Sequence, residues 1–216
     1  MSSQGIEIVS NYLGVHRLQS YLNVTHGHLD QALELYKWNT EISAEVFKIL
    51  ADVEIFLRNV IDRELQKFNV TLGNNLTWLD ELIQFIPPVR RLDIARAKYY
   101  LAADGQTLDH SNIVSQLNFG FWRSFLVKWN KGVLWPNALR FAFPHSPSRQ
   151  PEYIFTRVRH LHVLRNRIAH HEPIHNRDIA RDYQICIEVL YAISPTIAAW
   201  SAENSRVLEV LAKKPQ

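Results

Sequence analysis

SAEVFKILADVEIFLRNVIDRELQKF, from Ser43 to Phe68, carries Val46, Ile49, Leu50, Val53, Phe56, Leu57, Val60, Ile61 and Leu65 at steps of three and four. That spacing draws one broad apolar stripe along an α-helix, so a long amphipathic helix starting at the Ser43 cap is predicted. On its N-terminal side, Ile6, Val9, Leu13, Leu18 and Leu22 predict a first helix that stops near His26-Gly27-His28. A second is predicted from about Asp30 to Trp38, with Asn39 and Thr40 as a break before the long one.

Beyond Phe68, Gly73-Asn74-Asn75 reads as a loop, Trp78 to Phe85 as a short helix, and Pro87-Pro88 as punctuation before a helix of about Val89 to Ala103. A segment of about Ser111 to Trp129 follows. Pro136, Pro144, Pro147 and Pro151 then mark an irregular stretch that either separates two lobes or is a surface loop. Helical patterning resumes from about Glu152 to His171, where Pro173 ends it, and again over Asp178 to Ile193 and Ala202 to Leu211. No repeat of fixed period occurs. The expected class is all-α: one helical domain over 1–216, or two lobes joined by the loop at about 130–151.

Composition agrees. With 216 residues, 47% of them apolar, the chain can bury a real core, and only 7 Gly and 9 Pro argue against a strand-and-turn architecture. Cys186 lacks a partner for an internal disulfide and sits in an apolar run, as a small core residue of a protein in a reducing cytosol does. The N-terminus has neither a basic start nor a continuous apolar stretch, so no signal peptide, no membrane span and a cytoplasmic location are expected. Net charge is only +3, but Arg149, Arg157, Arg159, Arg165, Arg167, Arg177 and Arg181 cluster against Glu152, Glu172 and Asp178. The cluster is either a patch that attracts a polyanion or a solvated, salt-bridged helix face.

Chemistry concentrates in LRNRIAHHEP, Leu164 to Pro173. On a helix Asn166 and His170 share a face, and Arg165 lies one residue around. A permanent guanidinium suited to bidentate phosphate contacts thus stands near an imidazole that exchanges protons near neutral pH, a pairing suited to phosphodiester cleavage. Arg165 and His170 are five positions apart, so a long side chain, a frayed last turn or a second copy across a dimer must close the gap. Six of the ten histidines lie between His145 and His175, which raises a zinc site as an alternative. His170, His171 and His175 lack i, i+4 pairing, however, and the arginines oppose a divalent cation, so neither metal nor cofactor is expected. The histidines could also simply cap a helix and satisfy core carbonyls.

Other motifs read as structural. Phe121, Phe125 and Trp129 of LNFGFWRSFLVKW have the spacing of a buried helix face, with Arg123 and Lys128 on its solvated side; base stacking is the rival reading. Arg58-Asn59 repeats the Arg-Asn pair without a following histidine, and Glu54, Arg58 and Asp62 are expected to pair along the helix surface. His16, His26, His28 and His110 suggest no role. Phosphate-binding Gly loops, paired Cys motifs and a G-x-S-x-G elbow are absent, which leaves a nuclease, a binder or a scaffold.

Taken together, ALELYKWN (Ala32 to Asn39), EIFLRN (Glu54 to Asn59), LNFGFWRSFL (Leu117 to Leu126), LWP (Leu134 to Pro136) and above all RNRIAHHEPI (Arg165 to Ile174) make the chain resemble the Abi-like, abortive-infection branch of the HEPN superfamily over most of its length. The specific element is an R-x4-6-H motif with a polar residue after the arginine, matched by Arg165, Asn166 and His170, with His171 also at permitted spacing. The resemblance implies an all-α HEPN-like bundle with additional helices, a homodimer with facing motifs, and a metal-independent endoribonuclease toxin of phage defence that leaves 2′,3′-cyclic phosphate ends. It implies that His170 promotes attack by the 2′-hydroxyl, Arg165 holds the phosphate, Asn166 orients it, and His171 assists or substitutes. Arg159, Arg167 and Arg177 are expected to contact RNA. An antitoxin or regulatory partner would control such an enzyme. Some relatives of this type only bind RNA or a partner, so a non-catalytic binding module is the alternative.

Overall fold

The computed structural model describes residues 2–127 and 132–215. Its spine is one helix, α3, running unbroken for 43 residues from Leu29 to Thr71 and so spanning about 65 Å. The predicted stripe is its buried face: Val46, Ile49, Leu50, Val53, Leu57, Ile61 and Leu65 are all but inaccessible, as is Ile42 before them, with Val60 buried and Phe56 half-buried. Each inaccessible side chain contributes about 1.5–3 kcal/mol relative to an exposed position.

The break expected at Asn39-Thr40 does not exist. Asn39 and Thr40 favour breaks when their side chains compete for nearby backbone groups. Here the buried Asn39 instead sends its Oδ1 across the fold to accept the Ile174 N–H at 2.8 Å, and Thr40 Oγ1 donates back to the Tyr36 carbonyl. The first predicted helix, conversely, is two: α1 (Ser3–Leu13) and α2 (Val15–Val24), divided at Gly14, whose φ of 80° belongs to glycine.

Trp78–Glu81 forms α4, followed by a 3-10 turn over Ile83–Phe85, and α5 spans Pro88–Ala103 close to expectation. The Ser111–Trp129 segment resolves into α6 (His110–Gln116) and α7 (Phe119–Arg123). Phe121 and Phe125 pack with Trp78 and Trp122 in the core, in keeping with the core reading. Trp129 and Lys128 lie outside the described residues. Asp62 does not pair along its own helix. Its Oδ1 accepts from Trp78 Nε1 and bonds His110 Nε2, both at 2.7 Å, and Arg58 Nε donates to Asn59. The expected surface ladder of Glu54, Arg58 and Asp62 is therefore replaced by contacts of Asp62 and Glu54 across the fold and of Arg58 with its own neighbour.

Leu134–Asn137 (α8) and a 3-10 turn at Leu139–Ala142 bury Leu134, Trp135, Leu139 and Ala142, and His145 N–H donates to the Ala192 carbonyl. Four helices complete the chain: α9 (Glu152–Ala169), α10 (Ile179–Ile193), α11 (Pro195–Glu203) and α12 (Val207–Leu211). The predicted 202–211 helix is thus the end of α11 and all of α12, split at Asn204-Ser205. Helices α2, α7, α9, α10 and α12 pack against α3. The described residues are helical with no strand, so the protein is all-α, and none of their helices is long and apolar enough to cross a membrane.

Candidate functional site

Helix α9 owes its position to Ile154, Val158, Leu161, Leu164 and Ile168, a stripe at steps of three and four that is buried throughout. The intervening residues face two different neighbours.

Toward α10, the arginine cluster is largely neutralised. Arg177 donates from Nε and Nη2 to the two oxygens of Asp182 at 2.8 Å each, and His160 Nε2 lies 2.5 Å from the same carboxylate. Arg157 and Arg181 share Glu188 at 2.6 and 2.9 Å, and Arg157 also covers the Tyr153 ring. These acids come from α10, beyond the stretch whose charges the sequence suggests counting. Arg177, an expected RNA contact, is thereby occupied within the fold, and its hydrogen bonds to the Asp182 carboxylate strengthen its hold on its proton against the opposing effect of burial. Arg167 pairs with Glu172 at 3.4 Å, while Arg159 is exposed and has no carboxylate within 4.0 Å among the described residues.

Toward α5 and α7, His162, Arg165 and Asn166 line a cavity of about 300 Å³ together with Arg90, Asn118, Phe119 and Gly120. Arg165 pairs with Glu54 of α3 at 3.5 Å, yet its buried Nε makes no hydrogen bond. Arg123, expected on a solvated face, turns inward. Its Nε is buried without a partner, and burial together with Arg90 and Arg159 lowers its proton affinity. Burial, with Arg123, Arg90 and Arg165 nearby, also pushes the His162 imidazole below its usual range. It is therefore neutral at neutral pH.

The helix ends slightly earlier than expected. Ala169 is its last residue, His170 is the C-cap, and His171 takes φ of 56°. His171 N–H bonds the Ile168 carbonyl and Glu172 N–H bonds that of Arg167, the two bonds of a Schellman stop. Glycine normally fills that left-handed position. His171→Gly is accordingly expected to stabilise the fold by about 1 kcal/mol, read by urea unfolding.

His170 N–H bonds the Asn166 carbonyl at 2.9 Å, one turn back, but the candidate residues divide between cavities. His171 lines a second one, of about 720 Å³, with Arg17, Tyr36, Phe47 and Glu172, and its carbonyl accepts from Arg17. Arg165 stands between the two, its guanidinium carbon 5.9 Å from the centre of the Phe47 ring. His170 is exposed and lines neither cavity. Among the described residues no three His, Cys, Asp or Glu side chains converge as metal ligands. His175, grouped with the pair by sequence, is buried against the Tyr21 ring instead.

The residues the sequence reading missed are His162, Arg90, Arg123, Asn118 and Gly120. His162 had a signal, lying three and four positions before Arg165 and Asn166 on the same face. The rest meet it only through the fold.

Histidine titrations read these surroundings directly. By nuclear magnetic resonance, His162 is expected to titrate below 6.5, and His110 above it because of its hydrogen bond to Asp62. The signs for stability are opposite. The unfolded chain protonates position 162 before the folded one, so the His162 contribution is complete above 6.5 and falls as pH drops below it. That of His110 is complete below 6.5 and is lost as pH rises through its folded value.

No family model matches the chain, and no curated protein or solved structure matches it either.

Proposed function

We propose that the protein is a metal-independent endoribonuclease of the Abi-like HEPN type, acting as a growth-arresting toxin in phage defence. The observation that carries this reading is the placement of Arg165 and Asn166. They border a polar cavity at the end of α9, the arginine with an unbonded Nε, and the same helix terminates in His170 on the Asn166 face.

In the reaction, His170 removes the proton from a ribose 2′-hydroxyl, whose oxygen attacks the adjacent phosphorus. The bond to the 5′-oxygen breaks, and that oxygen takes a proton from His171 or water. The products are a 2′,3′-cyclic phosphate and a 5′-hydroxyl. Arg165 neutralises charge on the phosphoryl oxygens, and Asn166 donates a hydrogen bond to orient them. Exposed Arg159 and partly exposed Arg167 extend the basic track for the RNA backbone. A homodimer would bring a second copy of the helix end to the same RNA, and an antitoxin or regulatory partner in the cytoplasm would restrain the activity.

The exposure of His170 outside both cavities favours one other reading, a helical module that binds RNA or a protein partner without turnover. Cleavage of labelled RNA in EDTA separates the two. Wild type is expected to cut, and Arg165→Ala to lose both cutting and part of its RNA affinity. RNA bound by wild type but left intact would establish the binding module.

A further inference from the structure

The cavity between α5, α7 and α9 is built for an oxyanion. Arg90 arrives from α5, Asn118 from the turn before α7, and His162, Arg165 and Asn166 from α9. They converge on Gly120. A β-carbon there would lie 3.1 Å from Asn118 Oδ1, 3.2 Å from His162 Nε2 and 3.5 Å from Arg90 Nη2, so the missing side chain keeps a small polar space open. Asn118 Oδ1 already accepts the Phe121 N–H at 3.1 Å, which leaves its Nδ2 free to donate.

Charge points the same way. Asp93 pairs with Arg90 at 2.9 Å and Glu54 with Arg165 at 3.5 Å, whereas Arg123, beside this cluster, has no carboxylate within 4.0 Å among the described residues. Three guanidinium groups therefore face two carboxylates. Two of them hold buried Nε donors that no hydrogen bond uses. Unused buried donors next to uncompensated positive charge favour an anion that accepts several hydrogen bonds at once. At about 300 Å³ the space admits a phosphoryl group together with part of whatever carries it.

We infer that this cavity is a phosphate-binding site, in which Arg90, Arg165, Asn166, Asn118 and the Nε2–H tautomer of His162 surround the phosphoryl oxygens above Gly120. The site shares Arg165 and Asn166 with the cleavage reading but stands without it, because Arg90, Asn118, Gly120 and His162 take no part in that chemistry. Its ligand is inorganic phosphate, a terminal phosphate monoester or a backbone phosphodiester, all of which share the chemistry recognised.

Titration calorimetry at low salt tests this with inorganic phosphate and with deoxydinucleotides bearing a 5′-phosphate or a 5′-hydroxyl, which lack the 2′-hydroxyl that cleavage needs. Wild type is expected to bind at least one of these saturably, and Arg90→Gln and Gly120→Ala to bind it about tenfold or more weakly. Preference for the 5′-phosphorylated dinucleotide identifies a terminal monoester as the source. Equal binding of the two dinucleotides identifies the backbone, and binding of inorganic phosphate alone identifies the free ion. Circular dichroism checks that both variants fold. If neither does, the His162 ring resonances of wild type decide, since they must shift on adding phosphate and stay in place on adding chloride at equal ionic strength. No saturable binding by wild type, undiminished binding by folded variants, or unmoved His162 resonances would overturn the inference. RNA cleavage without phosphate binding removes this site alone, and phosphate binding without cleavage removes only the nuclease reading.

Discussion

His170→Ala protein is expected to cleave RNA about 10²- to 10⁴-fold more slowly than wild type, the usual contribution of a general base or acid, while still binding RNA. The His170 side chain is exposed, and what the helix end uses is its backbone N–H, which bonds the Asn166 carbonyl at 2.9 Å whatever the side chain. The substitution therefore removes an imidazole without disturbing the core. Arg165→Ala behaves differently, because a lost guanidinium weakens phosphate contact before and during the reaction, so affinity and rate both fall. Single-turnover cleavage alongside a binding titration separates the two. Full-rate cleavage by His170→Ala would reject its role as the proton-transfer group.

The second large effect concerns stability. Asp182→Ala is expected to destabilise the protein by about 3–5 kcal/mol, measured by urea unfolding. Asp182 is 2% exposed and accepts two hydrogen bonds from Arg177 while holding His160, so its removal strands a half-buried guanidinium between α9 and α10. Asp182→Asn keeps the shape but not the charge and should fall in between. A loss below about 1 kcal/mol for the alanine variant would mean that Arg177 finds water or another acceptor, as surface pairs do.

That network explains what the sequence leaves hidden. Spacing alone finds the spine, because Val46 through Leu65 follow a period that only a helix satisfies. It misreads Asn39, whose amide is a break signal when its partners are local. Here it is a core group because Ile174, 135 positions away, supplies the N–H it accepts. Counting charges within Arg149 to Arg181 leaves a basic patch and a salt-bridged face equally open, whereas Asp182 and Glu188, just past that window, take up three of its arginines and favour the second. The same limit applies to the site. Arg165, Asn166 and His170 are legible from one helix, but the cavity they border is assembled from α5, α7 and α9, and no local pattern joins Arg90 or Gly120 to His162.

His171 shows how a local irregularity bears on function. Its left-handed backbone is one that glycine adopts at lower cost. If His171 protonates the leaving oxygen, the stabilised His171→Gly variant should also cleave more slowly.

The central claim, metal-free transesterification at the end of α9, is tested most directly by the chemistry of the product ends. Purified wild-type protein incubated with a defined RNA in EDTA should leave 2′,3′-cyclic phosphate on one fragment and a 5′-hydroxyl on the other. Intact RNA, or cleavage that appears only when a divalent metal is restored, would contradict it.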